Sequence, residues 1–358
     1  MKTNLEKFGI KYNKIIPVDK FIEKILYASN FGYYNCKIPF GKNGDFITAP
    51  TISNLFSEII AIWIVSTWEN FDKPKRFNLI ELGPGDGSLS KVLIETFKKF
   101  PEFNSAVNMY LYEKSNLLIK TQKKKINGKN IHWIKNFEKI NNGPVIFFGN
   151  EFFDAVPIKQ FIKKKSMLFE LCYKANKKEL CQKYRMATKV DRKKIKSFRT
   201  LNNLKFIEYP KLGFKELDKI VKKITIHNGG ILLIDYGHLN VINKSTLQAV
   251  MKNKKINMYN LIKNLGKADV TSLVNFNLLK EYFLKKNLKV KKIVSQKFFL
   301  EKMGIIERAK ILEKKMTNNQ KVYLSATLNR LLNKKLMGEL FKVVFAFKFH
   351  KSSFLGFE

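Results

Sequence analysis

A glycine-rich turn between a buried strand and an amphipathic helix constrains the fold of this chain more than any other feature. The apolar run Phe77–Leu82 is followed by Gly83, Gly85 and Gly87, and then by leucine and phenylalanine side chains at helical spacing. Glycines let the backbone turn tightly and approach a ligand, and amides at the start of a helix can hold an anionic group. The pattern therefore predicts a βα unit with a ligand at its turn.

Strand and helix patterns alternate along the chain. Strands joined by helices of this length predict an α/β fold, with a parallel sheet that carries helices on both faces. The predicted strands are Phe77–Leu82, Val107–Tyr112, Ile131–Ile134, 144–148, 230–235 and 341–349. The predicted helices are 18–27, 53–68, 89–100, 115–125, 212–224, 276–286, 298–315 and 320–336.

The alternation breaks after residue 157, where short strand patterns with Lys-rich turns predict a β-rich insertion. Eight cations lie between Lys183 and Arg199, and we interpret this stretch as a solvated hairpin rather than a docking surface. We therefore predict four parts. They are an N-terminal helical and loop segment over 1–70, a first half of the core over 71–160, the insertion over 161–210, and a second half of the core over 211–358. We expect the insertion to face the substrate.

Acidic residues around the glycine turn indicate which ligand it holds. Glu113 follows the second strand, where an acid can accept hydrogen bonds from both ribose hydroxyls of an adenosine. The pyrophosphate of a dinucleotide would meet the carboxylates of Glu81 and Asp86, which would repel it. S-adenosylmethionine (SAM) carries a sulfonium, an ammonium and one carboxylate but no phosphate, so these acids and the loop amides suit it. The glycine spacing also departs from GxGxxG, and the predicted cofactor is SAM rather than NAD.

A second acidic motif, Asn150-Glu-Phe-Phe-Asp-Ala-Val-Pro157, follows the fourth strand. Ligands of open α/β sheets bind outside the carboxyl ends of the strands, near the switch in strand order. Glu151 and Asp154 would hold a cationic nucleophile there by two-point hydrogen bonding, as carboxylates hold a guanidinium. Alternatively, the two acids cap a helix or pair with surface lysines. Phe152 and Phe153 either pack in the core or line the path of methyl transfer.

Other catalytic and metal motifs are missing from the sequence. Gly41-Lys42 is not a phosphate-binding loop, because Cys36 and Asn43 stand where that motif needs Gly and a hydroxyl residue. The sequence contains neither GxSxG nor HExxH, and its four histidines are scattered, so we expect no metal site.

The formal charge of +39 raises the question of a nucleic-acid partner. Only six of the 68 basic residues are Arg. Nucleic-acid readers use Arg forks and stacked aromatic side chains, and the sequence shows neither pattern. We therefore predict solvated Lys faces and no specific nucleic-acid partner.

Three further features concern the cellular compartment. The longest apolar run, residues 59–65, is far shorter than the roughly 18 residues that a bilayer span needs. Residues 1–17 contain neither an apolar segment nor an Arg, and the three cysteines form no CxxC pair. These features predict a reduced, cytoplasmic protein without a transmembrane segment.

Several segments together resemble the MidA-like family, the mitochondrial complex I assembly methyltransferases and their bacterial relatives. The specific combination is Gly44-Asp-Phe-Ile-Thr-Ala-Pro50 with Asn150-Glu-Phe-Phe-Asp-Ala-Val-Pro157, and the similarity runs from about residue 17 to residue 308. The other similar stretches are 31–34, 55–58, 81–87, 234–237, 246–249, 268–271, 296–300 and 304–308.

The resemblance implies a Rossmann-like class I methyltransferase core that transfers methyl groups from SAM to protein arginine. It implies a protein substrate, which in the mitochondrial branch is a subunit of respiratory complex I. We assign catalysis to Glu151 and Asp154. Cofactor binding is assigned to Glu81, Gly83, Gly85, Gly87, Glu113 and Asn150. Substrate or lid roles are assigned to Asp45, Phe46, Thr48, Phe152, Phe153, Asp235 and Tyr236.

Four positions depart from the family pattern, although the SAM loop is intact. Thr51 stands where an acid is common, Asn253 and Leu273 where His is common, and Asn275 where Asp is common. Three alternative functions stay open. They are a non-catalytic assembly factor that binds a respiratory subunit, a dinucleotide-dependent oxidoreductase, and a nucleic-acid methyltransferase, which the lack of an NPPY-like turn disfavours.

Overall fold

The structure is a computed structural model that describes residues 4–39, 48–128, 130–175, 180–251 and 254–358. Its strands are β1 (Ile15–Pro17), β2 (Phe77–Leu82), β3 (Val107–Tyr112), β4 (Ile131–Ile134), β5 (Val145–Asn150), β6 (Lys159–Lys164), β7 (Met167–Ala175), β8 (Leu180–Met186), β9 (Phe206–Tyr209), β10 (Gly229–His238), β11 (Gln248–Met251), β12 (Lys254–Ile256), β13 (Asp269–Thr271), β14 (Val274–Asn275), β15 (Lys289–Val290), β16 (Val294–Ser295) and β17 (Phe341–Lys348).

Helices account for most of the remaining described residues. The α-helices are α1 (Asn4–Lys7), α2 (Val18–Tyr27), α3 (Tyr33–Cys36), α4 (Ala49–Ile52), α5 (Asn54–Asn70), α6 (Ser88–Phe97), α7 (Pro101–Ala106), α8 (Asn116–Lys125), α9 (Lys189–Lys196), α10 (Arg199–Asn202), α11 (Lys211–His227), α12 (Phe276–Lys285), α13 (Gln296–Lys302), α14 (Ile305–Glu313), α15 (Asn318–Leu332) and α16 (Met337–Leu340). A 3₁₀ helix spans Met258–Asn264. Among the described helices, none combines the length and the apolar character that a bilayer span requires.

The main sheet has the strand order β15-β17-β10-β5-β2-β3-β4. The strands from β10 to β4 are parallel, whereas β17 runs antiparallel to β10 and to β15. This confirms the predicted parallel sheet. The chain first winds outward from β2 to β4 and then returns to β5 on the other side of β2. The carboxyl ends of β2 and β5 therefore flank the crevice where open α/β sheets bind ligands.

Both faces of the main sheet are covered. In β2, Phe77 and Leu79 pack into one core with the side chains of α5 and α6. Ile80 and Leu82 point the other way into a second core with α11 and α12. Successive side chains of a strand alternate between faces, and here both faces are apolar because both are buried. The central strands are therefore rigidly held, and the turns that follow them are well positioned for binding.

The insertion forms a second sheet, in which β7 pairs with β8, β6 and β1, and β6 pairs with β9. The N-terminal segment contributes the strand β1 to this sheet. The hairpin that we predicted between Lys183 and Arg199 is wrong, because β8 ends at Met186 and α9 follows. The Thr188 hydroxyl accepts the Asp191 N–H at 3.1 Å and so caps this helix.

The helix predicted over residues 298–315 is also wrong in detail. The structure contains two helices, α13 and α14, joined at Gly304, which has a φ of +80°. A left-handed residue ends a helix, and glycine adopts this conformation without a steric penalty.

Candidate active site

The glycine turn has a backbone that requires glycine. Gly83, Gly85 and Gly87 have φ values of +65°, +59° and +83°. A Cβ on Gly83 would lie 3.1 Å from Cδ2 of Phe152, which packs directly against the turn. The Gly87 N–H donates to the Pro84 carbonyl at 2.9 Å, so the turn is closed before α6 begins.

Glu81 lies buried in β2, just before the turn. Its carboxylate accepts a hydrogen bond from the Ser90 hydroxyl on α6. Burial raises the pKa of Glu81 to about 8; the Ser90 bond opposes this rise, and the nearby acids Asp86 and Glu113 add to it. A bound cation would favour the ionised form, so Glu81 is suited to the ammonium group of a ligand.

Glu113 follows β3 and is tied to the glycine turn through Gln122. The Glu113 carboxylate accepts the Ser115 N–H at 2.8 Å and the Gln122 Nε2 at 3.3 Å. The same Nε2 donates to the Gly85 carbonyl at 2.8 Å, and Trp133 Nε1 donates to Gln122 Oε1 at 2.9 Å. Burial raises the pKa of Glu113. The sequence-based prediction missed Gln122, whose only signal was a polar side chain on the inner face of α8.

Asp86 contributes less to the acidity of the site than we expected. Its carboxylate forms an ion pair with Lys125 at 2.6 Å and accepts the Ser88 N–H at 3.0 Å. Because Lys125 compensates part of its charge, Asp86 repels a pyrophosphate less than we argued from the sequence. Burial also raises the pKa of Glu81 to about 8, so this carboxyl is largely protonated near neutral pH and contributes little repulsion.

The turn after β5 places Glu151 in a strained conformation. Glu151 has a φ of +54°, which is uncommon for a residue with a Cβ. Its N–H donates to the Ile234 carbonyl at 2.9 Å, and its carboxylate accepts the Asn150 Nδ2 at 3.3 Å and the Ala49 N–H. Burial, with a further contribution from the charge of Asp154, raises the pKa of Glu151 to about 8.

Asp154 and Asp235 lie side by side but have different surroundings. Asp235 accepts backbone N–H groups from Phe153 at 2.7 Å, Asp154 at 3.2 Å and Tyr236 at 2.9 Å. Its carboxylate therefore holds the turn in place. Asp154 instead accepts the Tyr236 hydroxyl hydrogen, and Tyr236 accepts one from Thr271. Burial raises the pKa of both Asp154 and Asp235.

Two buried oxygen atoms of this turn are available to a ligand. Asn150 Oδ1 and Asp154 Oδ1 have no hydrogen-bond partner within the described part of the chain. An unpaired acceptor in the interior costs about 1–3 kcal/mol, and a bound donor would remove this cost. Both atoms fit the N–H donors of an ammonium or a guanidinium group. Together with the amides of the glycine turn and the Glu81 carboxyl group, these two oxygen atoms match the charged groups of SAM, which are its ammonium, its sulfonium and its carboxylate.

The two phenylalanines of the motif have different environments. Phe153 is buried, and its ring packs near Gly213 and Phe214. Phe152 is only partly buried, and it lies against Gly83 and Gly149 at the crevice. The sequence left both interpretations open for both residues. Phe153 belongs to the core, and Phe152 is the one that borders the glycine turn.

The helices α2 and α3 form hydrogen bonds with residues around the candidate site. The Tyr27 hydroxyl donates to the Ala155 carbonyl at 3.1 Å, and the Tyr34 hydroxyl donates to Asp269 Oδ2 at 2.9 Å. The Ser115 hydroxyl donates to the Tyr34 carbonyl at 2.7 Å. Tyr27, Tyr34 and Asp269 were absent from the predicted site residues. Tyr34 and Asp269 belong to stretches that carry the family resemblance, which was the available signal.

The other positions singled out in the sequence have varied surroundings. Asp45, Phe46 and Asn253 lie outside the described residues. Thr48 is buried, and its carbonyl accepts the Ile52 N–H at 3.1 Å. The Asn275 side chain caps α12 by accepting the Leu278 N–H at 3.0 Å, which an Asp would do equally well. Thr51 lies in α4. The Leu273 N–H donates to the Thr246 hydroxyl at 3.0 Å.

Within the described ranges, we find no group of three or more His, Cys, Asp or Glu side chains that could hold a metal ion.

Comparisons with known proteins give a consistent result. Residues 59–294 match the sequence family described as putative S-adenosyl-L-methionine-dependent methyltransferases. The protein arginine methyltransferase NDUFAF7, mitochondrial, of Xenopus laevis is 28% identical over 94% of this chain and 82% of its own length. The corresponding homologue of Caenorhabditis elegans is 29% identical over 95% and 86%. The human protein is 26% identical over 93% and 80%.

Solved structures show the same fold. A Burkholderia thailandensis protein, crystallised with S-adenosyl-homocysteine, has a TM-score of 0.79 at 19% identity, over 98% of this chain and 91% of that chain. A native crystal structure from the same organism has a TM-score of 0.77 at 19% identity, over 99% and 90%. The Rossmann-like fold that we predicted is therefore confirmed.

The predicted cytoplasmic location is wrong. The relatives are named mitochondrial proteins, which points to the mitochondrion instead. The prediction depended on reduced cysteines and on the composition of residues 1–17. Free thiols indicate a reducing environment, but they do not tell one reducing compartment from another.

Proposed function

We propose that this chain, which belongs to the family of S-adenosyl-L-methionine-dependent methyltransferases, transfers a methyl group from SAM to an arginine side chain of a protein. The names of its relatives support arginine as the acceptor. We further propose a subunit of respiratory complex I as the substrate, following the resemblance of residues 44–50 and 150–157 to the MidA-like family.

One observation carries the proposal for arginine. Glu151 and Asp154 are neighbouring acids at the carboxyl end of β5, and Asp154 Oδ1 is buried with no hydrogen-bond partner among the described residues. Two carboxylates can accept several N–H donors of one guanidinium group at fixed angles. A cationic guanidinium favours the ionised form of both acids, whereas a neutral acceptor gives that form no compensating charge.

The residues of the crevice have separate tasks in this proposal. Glu81, Asn150 and Glu113 would hold the donor, with the amides of the glycine turn around its carboxylate. Bound SAM supplies a methyl group that is activated by the positive charge of its sulfur. Asp154 Oδ1 would accept one guanidinium N–H, and Tyr236 fixes the orientation of this carboxylate through its hydroxyl. Phe152 borders the glycine turn and would exclude water from the reacting atoms.

Glu151 is the proposed proton acceptor. Its pKa of about 8 is close to working pH, where a general base is most effective. A neighbouring guanidinium would favour the ionised form of Glu151 and so prepare it for this role. Removal of a proton by Glu151 would make the guanidinium nitrogen nucleophilic, and alignment with the methyl group would supply much of the remaining acceleration. The N–C bond would form as the S–C bond breaks, and S-adenosylhomocysteine would leave.

The test uses purified protein, tritiated SAM and a peptide library with a central arginine between randomised residues. The wild type should transfer tritium, and acid hydrolysis should yield methylarginine. Glu151→Gln should bind SAM within about twofold of the wild type by calorimetry but lose turnover by about 10²–10⁴-fold. Glu138→Gln, at an exposed position, is the matched control and should behave like the wild type.

Two results would reject parts of this proposal. SAM binding by the wild type without any methylarginine would favour a non-catalytic binding factor. Wild-type turnover by Glu151→Gln would remove Glu151 from the mechanism while leaving the reaction in place.

A further inference from the structure

A groove lies between the helices α4 and α5 on one side and α14 and α15 on the other. Its volume is about 620 Å³, within the roughly 300–1,000 Å³ of typical ligand sites. Two contacts hold its walls together. The Tyr323 hydroxyl donates to the Ile52 carbonyl at 2.7 Å, and Arg308 Nε donates to Glu58 Oε2 at 2.8 Å. The groove is therefore formed before a ligand binds.

The inner end of the groove adjoins the candidate base. Pro50 lines the groove, and the preceding residue, Ala49, donates its N–H to the Glu151 carboxylate. On the opposite wall, Thr327 lines the groove, and Arg330 follows one turn later on the same helix. The charge of Arg330 acts on Glu151 and lowers its pKa. On each wall, a lining residue is therefore close along the chain to a residue that acts on Glu151.

The composition of the groove differs from that of the rest of the surface. Lys and Arg make up 68 of the 358 residues, yet the described lining contains neither. Its one charged side chain is Glu58, which Arg308 compensates. The other lining residues are apolar or neutral and polar, and they include Asn54 and Asn319. A cationic segment would meet less repulsion here than over the Lys-covered surface.

We propose that this groove binds the segment of the protein substrate that carries the target arginine. The inference rests on the proposed function, and it adds where the substrate binds and which charge its flanking residues have. The segment would lie along the groove with neutral or basic residues, and its arginine would reach Glu151 at the inner end.

The test changes charge on the two walls at exposed positions. Asn54 begins α5 and Asn319 lies in the first turn of α15. With the tritium assay on the arginine-centred library, Asn54→Lys and Asn319→Lys should each raise the KM of basic peptides about fourfold at low salt. Asn54→Asp and Asn319→Asp, nearly isosteric with the wild type, should lower the KM by a similar factor. Both effects should shrink in 0.5 M salt, because added ions screen the charge.

Val322→Lys is the matched control. Val322 lies on α15, is 70% exposed and is not part of the groove lining. All five variants should keep the SAM affinity of the wild type, which shows that they are folded, and Val322→Lys should also keep its KM and kcat.

The two hypotheses fail in different ways. If the Asn→Lys variants have the same KM as Val322→Lys while the wild type methylates arginine, the groove is not the substrate site and the proposed function stands. If the wild type methylates no arginine in any library peptide, the proposed function fails and this inference fails with it.

Discussion

Tyr34 donates its hydroxyl hydrogen to Asp269 Oδ2 at 2.9 Å and so joins two residues that are 235 positions apart. The Tyr34 ring also stacks on Tyr27, with 5.5 Å between the ring centres. Burial, followed by the charge of Asp269, raises the pKa of Tyr34 well above its usual value, so the phenol keeps its proton. This contact fastens α3, in the N-terminal segment, to β13 in the second half of the chain.

Tyr34→Phe should weaken this attachment. Removal of a hydrogen bond to a charged group costs about 1.5–3 kcal/mol. We expect the free energy of unfolding in urea to fall by about 2 kcal/mol, and trypsin to cut residues 4–39 faster. Tyr184→Phe changes an exposed phenol and should alter stability by less than about 0.5 kcal/mol. Equal effects of the two changes would show that the contact with Asp269 does not hold the segment.

Gly83→Ala should abolish donor binding with a modest loss of stability. Gly83 has a φ of +65°, and an added Cβ would press on Phe152 at 3.1 Å. The left-handed conformation alone costs about 1–2 kcal/mol for a residue with a Cβ. Gly304→Ala is the matched control, because Gly304 has a φ of +80° but a Cβ there would make only an ordinary van der Waals contact, with Glu307 Oε2 at 3.6 Å. Calorimetry should find that SAM binding is lost in Gly83→Ala and retained in Gly304→Ala. If both variants bind SAM, the cofactor does not bind at the glycine turn.

Local patterns predicted the first half of the main sheet well. The bounds of β2, β3 and β4 agree with the prediction to the residue, because each is a short apolar run between clear turn signals. The glycine turn was also predictable, since its backbone requires glycine and the sequence shows this directly. Glu151 and Asp154 could be placed together because they are close in sequence.

Other features could not be read from local patterns. Helix α9 buries little more than Asp191 and Ile195, so its apolar face is too narrow to distinguish it from a cationic hairpin. The pairing of Asp86 with Lys125 depends on how α8 packs against the glycine turn. The bond between Tyr34 and Asp269 depends on the whole fold, and spacing along the chain carries no sign of it.

Lys159→Met should destabilise the insertion strongly. The Lys159 ammonium is buried and contacts three buried acids: Glu170, Asp191 at 3.5 Å and Asp19 at 4.0 Å. Loss of the cation removes the ion pair of Asp19 and weakens the compensation of the other two acids, although Arg185 still pairs with Glu170 and Lys211 with Asp191 at 2.7 Å. Breaking a buried ion pair from one side typically costs about 3–5 kcal/mol, and we expect about 3 kcal/mol in urea unfolding.

Two further variants test the cause of this effect. Lys164→Met, at an exposed position of the same strand, should change stability by less than about 0.5 kcal/mol. The double variant Lys159→Met, Glu170→Leu should recover part of the loss, because it removes one uncompensated charge. If the double variant is less stable than Lys159→Met by the full cost of a second substitution, packing rather than charge explains the effect.

The buried acids should make the ligand-free protein less stable as the pH rises from 6.5 to 8. Burial raises the pKa of Glu81 and of Glu151 to about 8, against about 4.3 in an unfolded chain. A carboxyl group whose pKa is raised on folding stabilises the protein fully at pH values below its unfolded pKa. This stabilisation is lost as the pH rises through its folded pKa. In this window the unfolded chain has released these protons and the folded protein has not, so each group lowers stability by about 1 kcal/mol per pH unit.

Glu81→Gln removes one of these groups while leaving an oxygen for the Ser90 hydroxyl. The fall in melting temperature between pH 6.5 and 8, measured by differential scanning calorimetry, should therefore be smaller in the variant than in the wild type. Saturating SAM should also reduce the slope in the wild type, because its cationic groups stabilise the ionised acids. Parallel curves for the wild type and Glu81→Gln would mean that Glu81 is ionised in the free protein, and that its charge is compensated before any donor binds.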